Sequence, residues 1–288
     1  RAGDWEFSGE RLRLAASGGQ VNGDFTLNVP GDSARSPTLR MDADFKNLDG
    51  AQAARYYPVR HLARTTLAWM ERSFIGGQVT KGHLFYDGPV REFPFAAGNG
   101  RFEIRAQVRD GMYRFLPGWA PVRQAEAEVT LNRDQVRIVG HGRIGNLAAK
   151  NVIVQTQRGP DGREEVHVRG DAAGPVDEAL QVLHGLQPNA EATAWTRYLP
   201  AGLRGGGEGT LKLEVAVPFD DAPARVTGEY RFRNAALRDP DTGTVVEALN
   251  GPIRFDEHGV RDGQLRGHFL GGDATLVASQ EQGRLVMH

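Results

Sequence analysis

The chain has 288 residues, a formal net charge of -1, 37 glycines and no cysteine. Its length is ample for a sizeable core, and its near-neutral balance argues against a nucleic-acid partner, because phosphate binding needs a basic excess. The missing cysteine excludes disulfides, thiolate metal sites and cysteine nucleophiles, which fits a protein of an oxidising compartment.

The first strand positions come early: Trp5, Phe7, Leu12 and Leu14. The chain opens on Arg1, without a methionine or a signal peptide, so it is expected to be a piece of a longer protein. Phe25, Leu27, Val29 and then Leu39, Met41, Phe45 alternate with polar or small residues, the pattern of strands with one apolar and one solvated face. From Val59 to Phe74 the period changes. Val59, Leu62, Ala63, Thr66, Met70 and Phe74 recur at three and four, which predicts a helix stopped by Gly76-Gly77. Alternation resumes at Phe102, Ile104, Val108 and at Val129, Leu131, Val136. Val176, Ala179, Leu180, Leu183 and Leu186 predict a second helix, with Pro175 at its start, Asp177 and Glu178 in its first turn and Pro188 beyond its end. A shorter helix is expected from Ala190 to Tyr198. Leu211, Leu213, Val215, Val217, Phe219, then Val226, Tyr230, Phe232, then Ile253, Phe255, Val260 return to strand spacing. Asn22-Gly23, Asp110-Gly111, Asp161-Gly162 and His258-Gly259 tolerate positive φ and are expected to close hairpins. The expected fold is therefore mainly β with a few helices, an antiparallel meander.

The chain also reads twice. At one constant offset Val122, Val129, Leu131 and Val136 fall on Val246, Ile253, Phe255 and Val260, while Val108, Arg109 and Asp110 fall on Phe232, Arg233 and Asn234. Slightly different offsets bring Trp69 onto Trp195 and Gly82, Leu84 onto Gly209, Leu211. The unit is too long for a solenoid coil and reads as a duplicated sheet-plus-helix module, with residues 1–170 as the first and 171–288 as the second. Tandem modules of this kind make extended surfaces or channels.

The chemical motifs are weak. Gly140-His141-Gly142-Arg143-Ile144-Gly145 matches the dinucleotide fingerprint, but Asn151 to Val154 after it reads as a strand where a phosphate-binding helix is required. Its alternate glycines fit a bending or closely packed sheet. Asp239-Pro240-Asp241-Thr242-Gly243 has its glycine fifth, and Asn250 stands where a calcium loop needs a bidentate glutamate, so a hairpin turn is expected. Gly205-Gly206-Gly207-Glu208-Gly209 lacks the lysine and hydroxyl of a phosphate loop and reads as a flexible entry to a strand. The histidines show no pair at short metal-ligand spacing. No catalytic residue, metal site or cofactor is assigned. Separated glycosidase carboxylates stay open as a distant alternative.

Tyr56-Tyr57-Pro58, Trp69, Gly76-Gly77, Gly82-x-Leu84, Gly88-Pro89, Phe93-Pro94-Phe95, Gly100-x-Phe102, Leu116-Pro117-Gly118-Trp119-Ala120-Pro121 and Gly251-Pro252-Ile253-Arg254-Phe255 follow one another in an order that resembles the central region of the YhdP family. That family stands in the AsmA-like superfamily of Gram-negative envelope proteins. Ala120 between Trp119 and Pro121 departs from the pattern, at a turn. The resemblance implies an extended sheet curled lengthwise into an open trough, non-enzymatic, periplasmic and tethered to the inner membrane by a segment outside this chain. Its interior would carry phospholipid acyl chains between inner and outer membranes and so support the permeability barrier. The candidate lining is then the alternating set: Phe25, Leu27, Leu39, Met41, Phe45, Phe102, Ile104, Val108, Val129, Leu131, Val136, Leu211, Leu213, Val215, Val226, Tyr230, Phe232, Ile253, Phe255 and Val260. A structural or adhesive β-repeat scaffold, with the same residues in a closed core and protein partners, is the alternative.

Overall fold

A computed structural model describes residues 3–16, 19–50, 72–95, 97–114, 120–184, 202–220, 222–281 and 284–287. The chain divides into two compact units, one of Arg1–Tyr113 with Gln124–Gly140 and one of Arg114–Arg123 with His141–His288. The first is built on β1 (Trp5–Ala16), β2 (Gly19–Val29), β3 (Thr38–Asp49), β4 (Phe74–Pro89), β5 (Arg101–Tyr113), β6 (Val122–Asn132) and β7 (Gln135–Ile144). The second holds β8 (Leu147–Arg158), β9 (Glu164–Pro175), the helix α1 (Val176–His184), β10 (Arg204–Pro218), β11 (Arg225–Arg238), β12 (Val245–Asp256), β13 (Gly259–Phe269), β14 (Gly272–Glu281) and β15 (Arg284–Met287).

Strand order follows the sequence within each unit, and the pairings described are antiparallel. Neither order returns on itself, so among the described residues neither set of strands closes into a barrel. The mainly β, antiparallel, open-sheet expectation holds. It follows from period-two alternation: β3 reads exposed and half-buried in turn from Thr38 to Lys46.

Among the described residues, bulges in three adjacent strands of each unit break the period, beside others at Arg11 and Asn151. In the first unit Gly77 (φ 133), Asp110 (φ 50) and Gln124 (φ 51) have positive φ; in the second Gly207 (φ 77), Asn234 (φ 46) and Ala248 (φ 49) do. Asp110 and Gln124 correspond to Asn234 and Ala248 at the offset of the internal repeat. The pairing shifts between Gly76 and Gln78, between Gly206 and Glu208, between Phe232 and Ala235, and between Glu247 and Asn250. Each bulge adds one residue and sharpens the local twist. It also keeps apolar side chains three apart on one face, as with buried Val122 and Ala125, or buried Phe232 and Ala235. The backbones approach closely there, since a Cβ on Gly77 would lie 2.7 Å from Gly111 Cα.

Several expectations are corrected. Asn22-Gly23 lies within β2, where a Cβ on Gly23 would collide with the Ala43 backbone, 2.7 Å from its Cα; the glycine permits close strand approach and makes no turn. Asp110-Gly111 lies within β5 as a bulge. Gly76-Gly77 does not stop a helix, because β4 starts at Phe74 and Gly77 is a bulge residue. Asp161-Gly162 falls between paired strands, and His258-Gly259 joins β12 to β13, with Gly259 as the first residue of β13. The Asp239 segment is a turn, closed by the Asp239 amide on the Thr244 carbonyl at 2.9 Å and the Thr242 hydroxyl on the Asp239 carboxylate at 2.7 Å. Of the fingerprint glycines, Gly140 and Gly142 lie in β7 and Gly145 in the turn that leads to β8. The predicted helix up to residue 71, the Ala190 to Tyr198 helix, Trp69, Trp195 and residues 115–119 lie outside the described residues.

Candidate functional site

The pairing registers place the two kinds of side chain on opposite faces. In the first unit Phe25, Met41, Tyr86 and Phe102 are successive cross-strand partners from β2 to β5, and Ala43, Leu84 and Ile104 form the next row from β3 to β5. Val21, Phe45, Gly82 and Ala106 form the row after that. In the second unit Ala172, Leu211, Tyr230 and Ile253 make one row from β9 to β12, and Gly170, Leu213, Gly228 and Phe255 make its neighbour. No residue of these rows is charged.

In the second unit the other face alternates in sign. Lys150, Asp171, Lys212, Glu229, Arg254 and Asp262 are partners in one row across β8 to β13. Arg254 spans Glu229 at 3.1 Å and Asp262 at 3.0 Å. Hydrogen bonds from Arg231, then Arg254, hold the Glu229 carboxyl below its ordinary range. In the first unit His83 meets Asp44 at 3.0 Å, and Arg101 holds the Glu103 carboxyl low in the same way. Exposed pairs of this kind add little stability each. Their sequence of signs opposes slippage, since a slip of one residue exchanges the faces.

Of the candidate lining, Phe102, Val108, Leu131, Val136, Val215 and Phe232 are buried. Phe25, Leu27, Leu39, Met41, Phe45, Ile104, Val129, Leu211, Leu213, Val226, Tyr230, Ile253, Phe255 and Val260 are half-buried. Sequence reasoning omitted Tyr86, Leu84 and Ala43, which share the face; the alternation Gly82-x-Leu84-x-Tyr86 carries the signal. It also predicted α1 without its seat. Val176 and Leu180 pack on Phe232, Ala235, Leu249 and Leu265, while Ala179 packs on Leu147 and Ala172. The helix thus covers the apolar face around Tyr230, next to the row of Leu213 and Phe255. The Tyr230 hydroxyl is buried without a hydrogen-bond partner among the described residues, and burial pushes its pKa up to about 12.

One end of the first unit's face is closed by a ring cluster, with fully buried Phe95 centred 5.4 Å from Tyr86 and 5.7 Å from Phe93. Among the described residues no group of three or more His, Asp or Glu side chains could hold a metal, and no helix is long and apolar enough to cross a membrane.

A family model described as YhdP protein matches residues 1–287. The chain is 22% identical over 281 residues to a protein of Escherichia coli (strain K12) named intermembrane phospholipid transporter YhdP. That alignment takes in 97% of this chain and 22% of the length of the relative. No solved structure matches the chain.

Proposed function

The chain belongs to the YhdP family, and from that premise we propose that it is one segment of a bridge-like groove that carries phospholipids between the inner and outer membranes of a Gram-negative envelope. The carrying observation is the separation of faces: uncharged rows through Phe25, Met41 and Phe45 in one unit and through Leu213 and Phe255 in the other, half-buried, with charged rows behind them. A closed core buries such rows, whereas a trough leaves them for acyl chains. Apolar contact is non-directional, so a chain can slide along the face without breaking a specific bond. The headgroup stays outside in water. This role needs no chemical step and no cofactor, and the segment acts in the periplasm, joined to membranes through parts beyond it.

The test uses the intact protein with vesicles of phosphatidylethanolamine and phosphatidylglycerol that contain a phospholipid with a diazirine in its acyl chain. Illumination is expected to label Met41, Phe45, Leu213 and Phe255. Labelling that is absent, or confined to the charged rows, overturns the proposal and favours the scaffold.

A further inference from the structure

We infer that glycines facing the aromatic residues of the apolar face lay those rings flat across the neighbouring strand, and that these ring-on-glycine plates are the surfaces on which acyl chains rest; the inference rests on the lipid reading above. The same geometry recurs three times. Phe25 is the register partner of Gly9, Phe45 of Gly82 and Phe255 of Gly228. At each glycine, a Cβ would come within 3.0 Å of the partner's ring, which real side chains essentially never do. The ring therefore occupies the space that any other residue would fill.

A side chain on a strand ordinarily stands roughly perpendicular to the sheet. Three half-buried phenylalanines standing that way would rise into the path of a chain crossing the strands. Lying on glycine, each offers its face instead of its edge and keeps the floor low. Such rings also shield the glycine backbone and support pairing. A purely shielding ring affects stability and lipid occupancy together, whereas a plate affects occupancy at unchanged stability.

Gly9 gives the cleanest test, because the atoms nearest an added methyl there belong to the side chains of Leu12 and Phe25, at 2.8 Å, and both can move. At Gly82 and Gly228 the Arg105 and Lys212 carbonyl oxygens also stand in the way, at 2.6 Å and 2.9 Å. In the intact protein, with the diazirine phospholipid as probe, Gly9→Ala is expected to lower labelling of Met41 by about fivefold or more while the melting midpoint holds. The double variant Gly9→Ala with Phe25→Leu is expected to restore labelling, since the shorter side chain has no ring to lift. Undiminished labelling in Gly9→Ala, a loss that Phe25→Leu does not rescue, or a loss matched by a lower midpoint each overturns the plate role. If the wild type itself is not labelled, the lipid reading fails, and the plate with it.

Discussion

Asp177 stands at the start of α1 and ties the helix to the strand that follows it. One carboxylate oxygen accepts the Gly205 amide at 3.1 Å and the other accepts the Gln181 side chain at 2.9 Å. The Gly205 hydrogen bond, with help from Gln181 and Arg204, lowers the pKa of Asp177 from its ordinary 3.8. A carboxyl whose pKa is lowered by folding contributes stability above its unfolded value and loses that contribution as the pH falls through the folded value. The tie between α1 and β10 is therefore complete at neutral pH and weakens only below 3.8. The amide proton resonance of Gly205 is expected to titrate with a midpoint below 3.8, and to lose that titration in Asp177→Asn. A midpoint at or above the ordinary value sinks the assignment. The residues of this tie were partly legible in the sequence: Asp177 in a first turn is a familiar preference, but the Gly205 amide lies far along the chain, and only the fold brings it near.

Strands were legible because their signal repeats every second residue, so each of Phe25, Leu27, Leu39, Met41 and Phe45 reports the same face independently. Bulges were not. A single extra residue looks like a lapse in the pattern, and Asp110-Gly111 carries the same tolerance of positive φ whether it turns the chain or kinks a strand. Ala248 makes the point at its least favourable: a β-carbon sits at φ 49, where glycine is at ease. Placing an alanine there costs about 1–2 kcal/mol, and the added chain freedom of a glycine returns about 0.4–1 kcal/mol of that. Ala248→Gly is therefore expected to stabilise the protein by roughly 0.5–1 kcal/mol. Deleting Ala248 removes the extra residue and leaves Val246 and Leu249 two apart, still on one face, so the deletion is expected to straighten the strand and to be tolerated. Denaturant unfolding of both variants is the check, and a destabilised Ala248→Gly with a deletion that unfolds the protein would falsify the bulge account.

At the scale of the whole molecule, whether apolar rows form a closed core or a groove is decided by what lies above them, and periodicity is silent on that. Leu131 and Phe255 are equivalent in the internal repeat and alike in their alternation, yet Leu131 is only 4% exposed while Phe255 is half-buried and rests on Gly228. One substitution with the same charge separates them. An unpaired carboxylate at Leu131 has no water to reach, at a cost of several kcal/mol against a total stability of about 5–15 kcal/mol. Leu131→Glu is thus expected to lower the melting midpoint and the cellular level together, with function falling in step. Phe255 is half-buried, so a carboxylate there is expected to reach solvent, and only part of the roughly 1.5–3 kcal/mol of a buried aromatic is lost. Phe255→Glu should therefore accumulate near the normal level while a charge stands in the row proposed to meet acyl chains. The expected result is a leaky outer membrane, close to that of a deletion, with abundant folded protein. An immunoblot and a melting curve beside a permeability assay decide it: an abundant Phe255→Glu protein with an intact barrier removes that row from the lipid path, and a Phe255→Glu protein as unstable as Leu131→Glu places it in a closed core.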